Sequence, residues 1–276
     1  MLKKESILHI IHNHLKNNAF CIKLYSILQW HERIYVIKRF FFIDRSMKRK
    51  HFILTVKGGT KFYLPYYKTD LIQKQITQKK SFYEHDLLDN SLEDTPLKVL
   101  EKGCFLDIGA NIGNHTLYFF QKNLIKSAYC FEPVKDTFDI LKKNIEINKL
   151  QNKVNLFNVG VGQTKGKAVL KYYNSNNIGM SQLSSAPNGD IPIVSIDDLN
   201  IEEKINFVKI DVEGFEANVI KGMTETLKRN KPLIMIEIRD YLFAEINNIL
   251  QSLGYNHTTI DVDTCNIGNY LYYTQK

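Results

Sequence analysis

The chain has 276 residues, 44% hydrophobic and 24% charged, which is enough for one large domain, or a domain plus an extension, around a buried core. Its four cysteines, Cys21, Cys104, Cys130 and Cys265, are isolated, which excludes a disulfide framework and argues against a zinc site. No apolar run reaches the roughly 18 residues of a spanning helix, and the N-terminus lacks the apolar stretch of a signal peptide, so the expected location is cytoplasmic. The net charge of +8 is unevenly spread: residues 1–80 hold 17 Lys/Arg against 4 Asp/Glu, whereas the rest hold 20 against 25.

Residues 1–50 read as a basic helical extension, with apolar positions at Ile7, Ile10, Ile11 and Leu15. His9 and His12 share a face there, without the acidic or cysteine partners that a metal site needs. The basic residues are densest over 38–50. They suit either a solvated lysine-rich face or peripheral contact with an anionic membrane, an acidic glycan or nucleic acid. The stretch 51–65 reads as a β-hairpin turning at Gly58-Gly59. A helix over 71–88 and a polar connector over 89–95 complete a second segment, 51–95, that leads into the core.

From residue 96 to 276 strands and helices alternate, as in a parallel sheet covered by helices on both faces. Strands are expected at 104–108, 127–131, 154–159, 206–211 and 232–238. Helices are expected at 114–122, 135–148, 215–229 and 241–253. Two final strands, 257–262 and 269–274, have no helix between them and form an antiparallel hairpin. Between 163 and 200 the alternation breaks into one strand, 167–173, and a loop rich in Asn, Ser and Gly. Such loops at strand ends carry substrate contacts, and this one suits a hydroxyl-rich ligand such as a sugar.

Cys104-Phe-Leu-Asp-Ile-Gly-Ala-Asn-Ile-Gly113 reads as a strand, a tight turn and the start of a helix. Gly109 and Gly113 let the backbone approach a ligand, and the free N–H groups of the helix start face the turn. A dinucleotide fingerprint would place glycines at 109, 111 and 114, but Asn111 and Asn114 stand at two of those positions. Asp107 would repel a phosphate and suits a cation. S-adenosylmethionine, with a sulfonium and an ammonium and no phosphate, fits better. Glu132, 25 positions after Asp107, ends the next strand where a carboxylate can accept from both ribose hydroxyls, and Pro133 closes that strand.

Several motifs together resemble the FkbM family of methyltransferases. They are Asp107-Ile-Gly-Ala-Asn-Ile-Gly113, Phe131-Glu-Pro133, Asn158-Val-Gly-Val-Gly162, Asn177-Ile-Gly-Met-Ser181, Ser195-Ile-Asp-Asp-Leu199 and Lys209-Ile-Asp-Val-Glu-Gly-Phe-Glu216. The resemblance spans about 80–240, includes the aromatic-Glu element Phe82-Tyr-Glu84, and leaves residues 1–50 outside; Ser195 stands where the family more often has Thr. It implies a Rossmann-like class I methyltransferase fold and methylation of a hydroxyl, on acceptors from glycoconjugate sugars to polyketide-type natural products. It also implies cofactor contacts. Asp107, Gly109, Asn111 and Gly113 would hold the methionine end and Glu132 the ribose. Val161 would border the adenine, Asp211 would face the cationic end, and Glu84 and Pro133 would complete the site.

An aliphatic hydroxyl needs its proton removed as it attacks, so a general base is expected among Asp211, Glu213, Glu237 and His115. Glu213 is the first choice, with Asp211 cofactor-facing; the competing role for Glu213 is a helix cap, for which Glu216 is also placed. Asp211, Glu213 and Glu237 could gather a divalent ion, but no metal is expected. The fourth strand ends in Asp-Val-Glu-Gly, not the Asn/Asp-Pro-Pro-aromatic turn of enzymes that methylate base amino groups, so no nucleic-acid substrate is expected. A binding protein without catalysis on this fold would be expected to lose the acids at 107, 132 or 211, and all three are present.

Overall fold

The computed structural model describes residues 52–93, 102–172, 181–262 and 266–275. The expectations for residues 1–50, including the histidine pair and the basic run, lie outside these. So do Cys21 and Cys265; Cys104 and Cys130 are buried and free. No described helix is long and apolar enough to cross a membrane.

A short hairpin, β1 (Ile53–Thr55) and β2 (Lys61–Tyr63), precedes two helices, α1 (Leu71–Lys79) and α2 (His85–Glu93). The single helix expected over 71–88 is therefore broken, and the connector expected from 89 begins as helix. Asp70 caps α1 through the Gln73 N–H, and Lys80 leaves the helix in a left-handed conformation with φ 50°. The break has a purpose. Asn114 bonds both backbone groups of Tyr83, accepting from its N–H and donating to its carbonyl, and so fixes this segment against the Gly109–Gly113 turn.

The core comprises β3 (Gly103–Ile108), α3 (Asn114–Gln121), β4 (Ile125–Phe131), α4 (Lys135–Ile147) and β5 (Val154–Phe157). After an excursion it resumes with β10 (Ile205–Ile210), α5 (Glu216–Lys221), α6 (Thr224–Asn230), β11 (Leu233–Arg239), α7 (Asp240–Ser252), β12 (Asn256–Val262) and β13 (Ile267–Tyr273). The sheet order is β12-β13-β11-β10-β3-β4-β5, parallel from β11 to β5, with β13 antiparallel between β11 and β12. This is the mostly parallel sheet with a C-terminal antiparallel hairpin that the sequence pattern implies. The strand order reverses between β3 and β10, so a crevice opens at their carboxyl ends.

Side-chain alternation gives each face its own core. Leu106, Ile108, Val208, Ile210, Ile234 and Ile236 are buried on one face with α5 to α7, and Phe105, Phe207, Met235 and Leu271 on the other with α3 and α4. On that second face four adjacent strands turn polar two residues from their apolar anchors, toward the same edge of the sheet. Phe105 is followed by Asp107, Phe207 by Lys209 and Met235 by Glu237, while on antiparallel β13 Asn269 precedes Leu271. These four polar positions underlie the crevice.

Two further expectations change. The helix over 215–229 is two short helices, because Gly222 packs its backbone against the Gly162 carbonyl, where a Cβ would come within 2.0 Å. The break also lets the Gly222 carbonyl accept from Ser195 Oγ at 2.8 Å. The expected strand 154–159 ends at Phe157, and the chain enters a separate four-stranded sheet instead. That sheet joins β6 (Gly160–Val161), β7 (Gly166–Tyr172), β8 (Gln182–Ser185) and β9 (Ile191–Val194) in the order β6-β9-β7-β8. Part of the expected substrate loop is thus strand; residues 173–180 lie outside the described set.

Candidate active site

At the end of β3 the turn folds back on its neighbour, with the Gly109 and Ala110 N–H groups both donating to the Phe131 carbonyl at 3.0 Å. Gly109 has φ 79°, and a Cβ there would lie 1.8 Å from the Asp211 carbonyl oxygen. Only glycine allows β3 and β10 to meet this closely. Asn111, with φ 49°, points its N–H at Glu132 Oε2 at 3.0 Å, and the Val134 N–H reaches Oε1 at 2.8 Å. Each Glu132 oxygen therefore keeps a lone pair for a ligand hydroxyl. Burial raises the Glu132 pKa to about 7. Asn158 Nδ2 donates to the carbonyls of Glu132 and Pro133, which holds the end of β4 in place.

The opposite wall follows β10. Lys209 Nζ donates to the Gly109 carbonyl and to Asp211 Oδ2, each at 3.0 Å. Glu213, at φ 55°, accepts from Arg239 Nη2 at 2.5 Å. The Gly214 N–H is taken by Glu216 Oε1 at 2.8 Å, so Glu216 serves as the acid at the start of α5 and the Glu213 carboxylate faces the cavity. One carboxylate oxygen from each of Asp211, Glu213 and Glu237 lies within 4.8 Å of the others. The Asp211 charge, then burial, pushes Glu237 up to about 9, while burial, then Asp211, raises Glu213 to about 7.

Between these walls lies a cavity of about 490 Å³. Glu84, Gly109, Asn111, Glu132, Pro133, Val161, Asp211 and Glu213 all line it. Asp107 and Gly113 do not. Asp107 is fully buried beneath the turn, where Oδ2 accepts from Thr116 Oγ1 at 2.5 Å and Oδ1 has no partner. Gly113 precedes α3 with φ 87° and packs against Leu141. His115 sits outside the main cavity, 3.7 Å from Glu84 Oε2, and burial, then Lys209, holds it neutral. It borders a chamber of about 10 Å³ with Glu84, Lys209, Asp211, Glu237 and Asn269. Lys209 and the cavity-lining Tyr83 and Phe215 lie within the quoted motifs, but neither they nor the cavity-lining Asn269 were assigned a site role from sequence. The signal for Lys209 was a lone charge in the otherwise apolar end of β10, Phe207-Val-Lys-Ile210.

The sequence profile of the Methyltransferase FkbM domain matches residues 107–256, more than half of the chain. The chain belongs to the FkbM methyltransferase family. Among relatives of this FkbM protein, methyltransferase SdnD of Sordaria araneosa is 26% identical over 198 residues, covering 59% of this chain and 73% of the relative. The hexuronic acid methyltransferase AglP of Haloferax volcanii is 30% identical over 159 residues, covering 56% of this chain and 62% of the relative. The crystal structure of an FkbM methyltransferase from Methylobacillus flagellatus is similar at 21% identity and a TM-score of 0.49, covering 67% of this chain and 47% of that one.

The FkbM protein is a methyltransferase with a class I fold, and its cofactor is S-adenosylmethionine. The residues fit that group. Gly109 leaves a cradle that any side chain would fill, and Glu132 is a buried carboxylate with spare acceptor capacity beside apolar Val159 and Val161. When bound, the cofactor supplies an electrophilic methyl on a sulfonium. The protein's part is to hold that group and align it with the acceptor.

Proposed function

We propose that this protein methylates a hydroxyl of a sugar in a cell-surface glycan or glycoconjugate. The observation that carries this reading is the acidic wall of the cavity, where Asp211, Glu213 and Glu237 converge beyond the Gly109 turn. Closely set carboxyls suit a polyol, because each can accept from a ring hydroxyl and one can remove the proton of the attacking oxygen. Glu213 is that base. Its Oε2 is fixed by Arg239, its other oxygen remains available, and its pKa of about 7 lies near working pH. Asp211, held by Lys209, faces the cofactor's cationic end.

AglP methylates a hexuronic acid, which supports a sugar acceptor here. The wall is itself acidic, and like charges set against each other are costly, so a neutral sugar ring suits the reacting position better than a uronate. Residues 1–50, strongly basic, would draw a phosphorylated or membrane-bound glycan to the enzyme. The test is incubation with methyl-labelled S-adenosylmethionine and a panel of glycan precursors beside polyketide-type hydroxyl compounds. Label in the sugar fraction supports the reading, and label confined to the polyketide-type compounds overturns it.

A further inference from the structure

We propose that Lys209 is the positioning residue that couples the cofactor turn to the acceptor wall, holding the Gly109 carbonyl and the Asp211 carboxylate together. Two N–H groups of one ammonium make both bonds, so the ends of β3 and β10 share a donor at the point where the sheet order reverses.

The position is costly for a charge. Lys209 is 5% exposed, and its neighbours on the same sheet face are Phe207 and, across the pair with β11, Met235. An apolar side chain would pack there without desolvating an ammonium, so the fold alone gives no reason for lysine. Carboxylates offset the cost. Asp107 stands directly opposite in the β3 pairing, Asp211 is bonded, and Glu237 faces it from β11; Glu84, Glu132 and neutral His115 complete its surroundings. Burial lowers the Lys209 pKa, but Asp211 and Asp107 outweigh burial and raise it, so the ammonium stays charged. Asp107 thereby acquires a purpose that its position beneath the turn did not explain. It is a coulombic partner of the buried lysine, and Lys209 and Thr116 in turn counter the burial that pushes its carboxyl above the usual carboxylate range.

This inference rests on methyl transfer and is independent of the sugar reading, because its measurement is the affinity for S-adenosylhomocysteine. Calorimetry of Lys209→Met on the full chain should show binding weakened about tenfold or more near pH 7, the worth of a hydrogen bond to a charged group. The deficit should shrink toward about pH 9, because carboxylates that lose their cation take up protons and release them as pH rises. Over the same range the wild type should change less. Asp107→Asn with Lys209→Met removes both buried charges and preserves folding should the single variant fail to fold; it leaves the Gly109 carbonyl and Asp211 equally undonated, and the same loss is expected. Wild-type affinity in a folded variant would overturn the proposal. So would a uniform loss whose pH dependence runs parallel to wild type, which is what a merely structural lysine would give.

Discussion

Gly109→Ala tests the geometry of the cofactor turn, and its cost can be worked from two contributions. The added Cβ would start 1.8 Å from the Asp211 carbonyl, so β3 and β10 must separate by roughly 1 Å or more at their carboxyl ends. Overpacking of this kind costs about 1–3 kcal/mol, and holding alanine at φ 79° adds about 1–2 kcal/mol. The sum, roughly 2–5 kcal/mol, is a large part of the ~5–15 kcal/mol that stabilises a domain. It corresponds to a melting temperature lower by roughly 4–20 °C for a chain of this size. Gly59→Ala is the control, since Gly59 also has a positive φ, 93°, but a Cβ there meets nothing within 4 Å. The difference between the two variants in urea or thermal unfolding isolates the crowding. Gly109→Ala should also lose S-adenosylhomocysteine affinity, and Gly59→Ala should not. Equal stability of the two variants, with wild-type affinity in both, would refute the reasoning.

Three other outcomes are expected. Glu213→Gln should lower kcat by ~10²–10⁴-fold while cofactor affinity stays near wild type, and a variant with normal turnover removes Glu213 as the base. The protein without ligand should lose stability as pH rises from about 6.5 to 9, measured as a falling melting temperature. Glu132 and Glu213, raised to about 7, and Glu237, raised to about 9, keep protons that the unfolded chain releases near pH ~4.3. Their contribution is complete below the unfolded value and is lost as pH passes the folded values; His115, held neutral, titrates below this window. A flat or rising melting curve contradicts the charge assignment. Dialysis against a chelator should leave turnover unchanged, because Asp211 and Glu213 already have Lys209 and Arg239 as cationic partners. Activity lost to the chelator and restored by a divalent ion would reassign Asp211, Glu213 and Glu237 as a metal site.

The parallel core was legible because its strands are short apolar runs at regular spacing, and Gly109 sits where β3 and β10 crowd each other. The place of Glu132 on the cavity wall was legible by its distance from Asp107. The breaks were not. Helix periodicity runs through 71–88, and what interrupts it is tertiary, the clamp of Asn114 on Tyr83. The split at Gly222 likewise follows from backbone contact with Gly162, which no local pattern encodes. In β9 the central Pro192 disguises a strand, although Ile191 and Ile193 keep the alternation and are buried. Motif position alone also could not separate Asp107 beneath the turn from Asp211 in the cavity wall. That distinction depends on which carboxylate extends past its strand end.

The most direct test of the site is a crystal structure of the protein with S-adenosylhomocysteine. The ribose hydroxyls should lie within about 3 Å of the Glu132 carboxylate, with the homocysteine end against the Gly109 turn and Asp211. A ligand bound elsewhere, or one whose ribose leaves Glu132 uncontacted, would contradict the account.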